Sequence, residues 1–328
     1  MSLLGFAYLV ATALLAVYGL NSLVLTWLYL RHRREDAPCP PLAETPAVTV
    51  QLPIYNELYV VERLIDAVAR LDYPRDRLQI QVLDDSTDET TAVARARVDF
   101  YRARGIDIEL IHRAERTGFK AGALQCGLAM ARGEFVAIFD ADFVPEPDFL
   151  TKTIPYFFGR PRLGMIQTRW MHINADYSPL TRAQAIALDG HFVVEQTARN
   201  RSGLFMNFNG TAGIWRRECI EASGGWQGET ISEDLDLSYR AQLSGWEFLF
   251  LPDVLAPAEI PPQINAFKRQ QFRWAKGSIQ CALKLWRPVL KAPVSIFKRL
   301  QAVIHLTSYL VHPLMLFLCL LSLPLMLW

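Results

Sequence analysis

Residues 133–143 read GEFVAIFDADF. Five apolar residues, 135–139, run unbroken behind a glycine and end on two aspartates two positions apart. A strand covered by helices on both faces has this continuous apolar character. Asp140 and Asp142 stand at i and i+2, so they point the same way where the strand runs out. Two converging carboxylates repel each other unless a cation lies between them. Hard oxygens suit Mg2+ or Mn2+, which in turn would bridge a diphosphate. The plainer reading is an acidic turn that caps the next segment.

The pattern extends upstream. Residues 48–52 are strand-like and end in Pro53. Residues 58–71 place Val61, Leu64, Ile65 and Val68 on one helical face. Residues 78–83 form the next strand. A helix from about Glu89 to Arg104 follows, with Ser86 or Thr87 as N-cap and Gly105 as stop. Residues 108–111 form a third strand, and a helix from Lys120 to Arg132 leads into the fourth at 135–139. Strands alternating with helices predict an α/β fold with an open, mostly parallel sheet. Ligands of such sheets bind beyond the carboxyl ends of the strands. Those ends hold Tyr55-Asn56-Glu57, Asp84-Asp85, Arg113 and the Asp140–Asp142 pair. No GxGxxG follows the first strand and no GxxxxGK[ST] occurs, which disfavours dinucleotide-binding and P-loop domains.

Other residues carry chemistry and a plain alternative side by side. Asp84 and Asp85 offer acceptors to a base or ribose edge, or cap the following helix. Lys120 opens a helix, where a cation is unfavourable against the dipole. It either binds an anion such as a nucleotide or is solvated. Ser232-Glu233-Asp234 follows a loop with Gly224, Gly225 and Gly228 and opens another helix. A carboxylate there can take a proton from an attacking hydroxyl, and the helix N-terminus favours its ionised form. The alternative is simple capping. Gln270, Arg273 and Trp274 share one helical face. Arg273 would meet a leaving phosphate and Trp274 would floor a sugar ring, or the helix lies at a membrane surface with Trp at headgroup level.

The order and spacing of these parts resemble the membrane-embedded family 2 glycosyltransferases with a GT-A domain, a group that includes cellulose, hyaluronan and chitin synthases. The likeness runs from about Pro53 to Trp274. The closer likeness is to the plant cellulose-synthase-like mannan and xyloglucan-backbone synthases, and rests on VLDDSTDET, GFKAGAL, FDADFVP, IQTRW, HFVVEQ, FNGTAGIWRR, SGGW, EDLDLSYRAQLSGW and QQFRW. The resemblance implies a Rossmann-like GT-A sheet. It implies that Asp84, Asp85, Lys120 and Asp140 hold the nucleotide, and that Asp140 and Asp142 meet Mg2+ or Mn2+ and the diphosphate. Asp234 becomes the general base. Asn209, Gly210, Glu233, Gln270, Arg273 and Trp274 line the acceptor and diphosphate site. The implied reaction is inverting transfer of a hexose from UDP-glucose or GDP-mannose to a growing β-linked polysaccharide. Transfer of a single sugar to a membrane lipid, and an inactive nucleotide-binding scaffold, stand as alternatives.

Composition sets the surroundings. The chain has 328 residues, 34 Lys+Arg against 33 Asp+Glu, and 51% apolar residues, which excludes disorder and a generally basic nucleic-acid binder. Up to Glu259 there are 25 basic and 33 acidic residues; after it there are nine basic and no acidic ones. Residues 3–30 and 300–328 carry no Asp, Glu, Lys or Arg. Each stretch exceeds the roughly 18–20 residues needed to cross a bilayer. Arg31, Arg33 and Arg34 place the adjoining middle of the chain in the cytoplasm. The expected organisation is a transmembrane helix at 3–30, a Pro-rich linker at 35–46 and a cytosolic catalytic domain at 46–258. Amphipathic interfacial helices come next at 259–300, touching membrane lipids, and a second transmembrane helix at 301–328. The chain then reads as the N-terminal portion of a longer multi-pass protein of a bacterial inner membrane or, in a plant, the Golgi. Five scattered cysteines without a CxxC spacing argue against a zinc site or disulfide framework.

Overall fold

The structure is a computed structural model that describes residues 2–35 and 38–327. Part of the expected linker (36–37) and the last residue of the second apolar stretch lie outside them. Seven strands form one sheet in the order β3-β2-β1-β4-β6-β5-β7. They are β1 Val48–Ile54, β2 Leu78–Asp84, β3 Ile108–His112, β4 Phe135–Ile138, β5 Leu163–His172, β6 Gly213–Arg216 and β7 Glu247–Ala258. The helices are α1 Leu3–His32, α2 Val61–Val68, α3 Thr90–Arg102, α4 Phe119–Met130, α5 Phe149–Thr153, α6 Pro179–Asp189, α7 Thr197–Arg201, α8 Arg217–Ala222, α9 Glu233–Leu243, α10 Ile264–Lys291, α11 Ile296–Leu306 and α12 Val311–Leu327. A π-helical stretch, Gly190–Gln196, joins α6 to α7.

The first four strands are parallel, in register from Val48↔Leu78 and Val48↔Phe135. Only β6 runs against its neighbours, pairing Ala137↔Ile214 on one side and Ile166↔Ile214 on the other. The sheet is therefore mostly parallel, with order 3-2-1-4 in its first half. The crevice between the ends of β1 and β4 is its topological switch point, where open sheets place their ligands.

The unbroken apolar run in β4 results from burial on both faces. Phe135 and Ala137 pack with Val50, Leu52, Leu64, Ile65 and Val98. Val136 and Ile138 face the other way, toward Leu124, Leu128, Trp215 and Leu237. Period-two alternation thus feeds two separate cores, one beneath each helical layer. A third cluster, Phe205, Tyr239, Cys281, Leu285, Val289 and Leu306, fastens α9 to α10 and α11.

Three local details differ from the sequence expectation. Strand β1 runs through Pro53 to Ile54, because the loss of one N–H at the next-to-last residue costs the ladder little. Ser86 and Thr87 do not cap α3. Ser86 Oγ accepts from the Asn56 N–H and Thr87 N–H donates to Asn56 Oδ1, each at 2.9 Å, so both lock the end of β2 onto the end of β1. The apolar stretch expected as one helix from 301 is broken: α11 stops at Leu306, and a 3-10 turn at Ser308–Leu310 precedes α12. Helix α1 packs against this break, with Tyr18 Oη donating to the Thr307 carbonyl at 3.1 Å and Gln301 Nε2 to Asn21 Oδ1 at 2.7 Å. Two helices, Leu3–His32 and Ser308–Leu327, are long and apolar enough to cross a membrane, and few of their residues are fully buried.

Candidate active site

Lys120 is the second residue of α4, after Gly118 (φ 73°) and Phe119 (φ 51°). A left-handed phenylalanine is uncommon, and such strain collects at functional sites. The turn aims Lys120 into the switch-point crevice. Its Nζ donates to Asp140 Oδ1 at 2.5 Å and to the Gly210 carbonyl at 2.9 Å, with Glu233 Oε1 at 3.9 Å. Burial works against its charge. Asp140, Glu233 and Asp234 outweigh it and raise the pKa, so the ammonium stays charged.

Asp140 comes just after β4, and its N–H donates to Thr211 Oγ1 at 2.9 Å. Burial and then Asp140 push the Asp142 carboxyl up to about 7. Glu57, at the end of β1, is raised by burial and then by Asp140, with Arg273 pulling the other way. The crevice therefore crowds carboxylates whose repulsion a divalent cation would relieve. Among the described residues no group of three or more His, Cys, Asp or Glu side chains forms a metal cage. Two carboxylates completed by phosphate oxygens and water is a form Mg2+ commonly takes, so Asp140 and Asp142 fit such an ion.

Glu233 and Asp234 open α9. Ser232 occupies the cap position without a side-chain capping bond, so capping does not explain this triplet. The helix N-terminus was expected to favour ionised Asp234, yet burial prevails. It pushes Asp234 up to about 6 and Glu233 to about 7, with Lys120 pulling both down. Asp234 is thus a stronger base than an ordinary carboxylate. Gly210 (φ 81°) passes directly over it: a Cβ there would lie 3.2 Å from Asp234 Oδ2 and 3.4 Å from Lys120 Nζ.

Helix α10 brings in the Gln270–Trp274 face. A Cβ on Gly277 would meet Ser232 Oγ at 2.0 Å, so the helix backbone lies directly on the Ser232 loop. Gln280 Oε1 accepts from the Ile231 N–H at 2.9 Å, and Lys284 Nζ stands 3.0 Å from both Glu229 and Asp236. One turn before Gly277, Arg273 is exposed, makes no hydrogen bond or ion pair among the described residues, and acts on Glu57 across the crevice. Gln270 and Trp274 are half-buried on the same face.

Asp84 stands apart from its expected nucleotide role. It is wholly buried, and its oxygens accept from Ser86 N at 2.9 Å, Thr91 Oγ1 at 2.7 Å and His112 Nδ1 at 2.8 Å. It anchors the strand end instead of facing a ligand. Asp85 is also buried, in a two-pronged pair with Arg113 at 2.7 and 2.6 Å. Arg113 in turn donates to the Thr117 and Phe119 carbonyls, tying Asp85 to the turn that presents Lys120. Asn209 lies beside Gly210, its N–H donating to Gln167 Oε1 at 2.9 Å. The structure brings together Lys120, Asp140, Asp142, Gly210, Glu233, Asp234 and Arg273. Sequence reasoning assigned no role to Glu57, although its place at a strand end marked it.

Known proteins share this outline. The profile of glycosyltransferase like family 2 matches residues 46–277. Glucomannan 4-beta-mannosyltransferase 2 of Arabidopsis thaliana is 44% identical over 250 residues, covering 75% of this chain and 47% of that protein. Glucomannan 4-beta-mannosyltransferase 1 of Oryza sativa subsp. japonica is 38% identical over 298 residues, covering 86% and 57%. The chain thus spans about half the length of the curated relatives it matches. Among solved structures, a mannosyltransferase from Pyrobaculum calidifontis in complex with GDP-Man and Mn2+ superposes with a TM-score of 0.75. It shares 24% identity and covers 96% of this chain and 85% of its own, a likeness of fold. The matched span 46–277 contains Glu57 and Arg273 and every converging residue between them, and the chain belongs to the family 2 glycosyltransferases.

Proposed function

We propose that the chain transfers a hexose, with inversion, from a nucleoside diphosphate sugar to the end of a growing β-linked polysaccharide. The observation that carries this reading is the meeting of Asp234, Lys120, Asp140 and Gly210 at the switch point of the sheet. Asp234, with its raised pKa, takes the proton of an acceptor hydroxyl. The freed oxygen attacks the anomeric carbon from the face opposite the diphosphate. Arg273, exposed and without an ion-pair partner of its own among the described residues, receives the departing charge. Mg2+ or Mn2+ held by Asp140 and Asp142 would neutralise the diphosphate. Asp85, through Arg113, and Lys120 hold the nucleotide end. Asn209, Gly210, Glu233, Gln270 and Trp274 line the acceptor and diphosphate side.

The names of the relatives, glucomannan mannosyltransferases, support GDP-mannose ahead of UDP-glucose as donor. The two apolar helices support a membrane enzyme. In this reading the catalytic domain lies on the cytosolic side, and α10 and α11 lie along anionic lipids. Membranes carrying the chain, incubated with GDP- and UDP-hexoses and Mn2+, are expected to release GDP from GDP-mannose and form polymer. A glycolipid bearing one sugar would move the acceptor to a lipid. No nucleotide release from any donor would overturn the reading.

A further inference from the structure

The HFVVEQ run falls in the π-helical stretch Gly190–Gln196, and such stretches are rare and concentrate at functional sites. It carries a hydrogen-bonded chain that ends on the loop over the catalytic carboxylates. Arg199 Nε donates to Glu195 Oε1 at 2.8 Å, and Glu195 Oε2 is 3.0 Å from His191 Nδ1. His191 Nε2 is 3.0 Å from Asn209 Oδ1. Burial opposes the charge on Glu195, but Arg199 and the His191 bond hold its carboxyl well below the usual range, so it is ionised and accepts only.

The amide orientations fix the far end. Asn207 Nδ2 donates to the Phe208 carbonyl at 3.2 Å and to Asn209 Oδ1 at 2.9 Å. A carbonyl only accepts, so Asn207 presents its amino group, and Asn209 must answer with its oxygen. Turning Asn209 over would set two amino groups against each other at 2.9 Å. Gln196 Nε2 is anchored on the Asn207 carbonyl at 3.0 Å and reaches the His191 ring only at 3.5 Å. His191 therefore faces an acceptor on each side, and both ring nitrogens must donate.

We propose that His191 is a positioning residue of the transfer site: as an imidazolium bridging Glu195 and Asn209, it fixes the 209–211 loop over the reacting groups. That loop touches three of them. The Gly210 carbonyl accepts from Lys120, the Gly210 backbone lies over Asp234, and Thr211 Oγ1 accepts from the Asp140 N–H. Misplacement of about an ångström can cost on the order of a hundredfold in rate. The kinetic consequence rests on the transferase reading above; the protonation of the ring does not.

The test uses the full chain in lipid nanodiscs, with isotope-labelled histidine and nitrogen NMR. The His191 signals are assigned by their loss in His191→Gln and their displacement in Glu195→Gln. Both nitrogens are expected in the protonated range at neutral pH; one unprotonated nitrogen overturns the proposal. His191→Phe keeps the edge-to-face packing on Phe192, with ring centroids 5.1 Å apart in the parent, and loses both hydrogen bonds. Its kcat is expected to fall about tenfold or more with donor KM within about twofold, the pattern of a lost transition-state interaction. His191→Gln, which keeps an amide donor, should recover part of the loss. An unchanged kcat in folded His191→Phe also overturns the proposal. If the unaltered chain transfers from no nucleotide sugar, the transferase reading has failed, and the nitrogen signals alone decide this inference. If His191→Gln does not fold, the displacement in Glu195→Gln still makes the assignment.

Discussion

Lys120 pairs with Asp140 and Glu233, acts on Asp234 through its charge, and is the only cation paired with any of the three among the described residues. That arrangement moderates the pKa of a carboxyl buried at a helix start: burial raises it and Lys120 limits the rise. It also sets the sign of the pH dependence. A base works only when unprotonated, and Asp234 is raised to about 6. The kcat/KM of transfer should therefore fall about tenfold per unit as pH drops below about 6 and level off above it. A profile flat down to about pH 4.5 would exclude Asp234 as the titrating base. Gly210 has a positive φ, and a Cβ there would lie 3.2 Å from Asp234 Oδ2 and 3.4 Å from Lys120 Nζ. Gly210→Ala adds about 1–2 kcal/mol of left-handed strain and a methyl group against Asp234 and Lys120. A folded Gly210→Ala enzyme should lose at least about tenfold in kcat while donor KM changes little. Retention of full kcat would show that the loop tolerates a methyl group there.

Helix α10 carries Arg273 but is held to the domain at Gly277 and Lys284. Lys284→Met would leave the wholly buried Asp236 with Arg240 as its only ion-pair partner among the described residues. A loss of about 1–3 kcal/mol, the cost of an unpaired buried polar group, is expected as a lower Tm in detergent. An unshifted Tm would show that the helix is held elsewhere. At this scale the sequence was legible where period and burial agree. The strands 135–139 and 78–83, and the helix face of Val61, Leu64, Ile65 and Val68, were readable because helices cover both sides of the parallel half. The reversed strand β6, Gly213–Arg216, was not, since four residues carry no period. The caps of α3 were misread because Ser86 and Thr87 have nearer partners on Asn56. Asp84 looked like a ligand because its burial is set by Thr91 and His112, seven and 28 residues away. The Asp140, Asp234 and Arg273 motifs stood out in the sequence as candidates, but only the fold shows one lysine paired with Asp140 and acting on Asp234.

Over the whole molecule, an acidic domain meets a tail with nine basic and no acidic residues after Glu259. Two long apolar helices, few of whose residues are fully buried, lie beside it. In water that surface would be costly; in a bilayer it is the favourable face. The chain should stay with membranes through an alkaline carbonate wash and leave only with detergent. Release by carbonate would place both helices outside the bilayer. The central claim, though, concerns one proton, and Asp234→Asn tests it while keeping the shape of the side chain. With membranes that transfer hexose from a nucleotide sugar, the account predicts that this variant binds the nucleoside diphosphate as the parent does and loses transfer by about a hundredfold or more. Transfer at the parental rate by Asp234→Asn would contradict it.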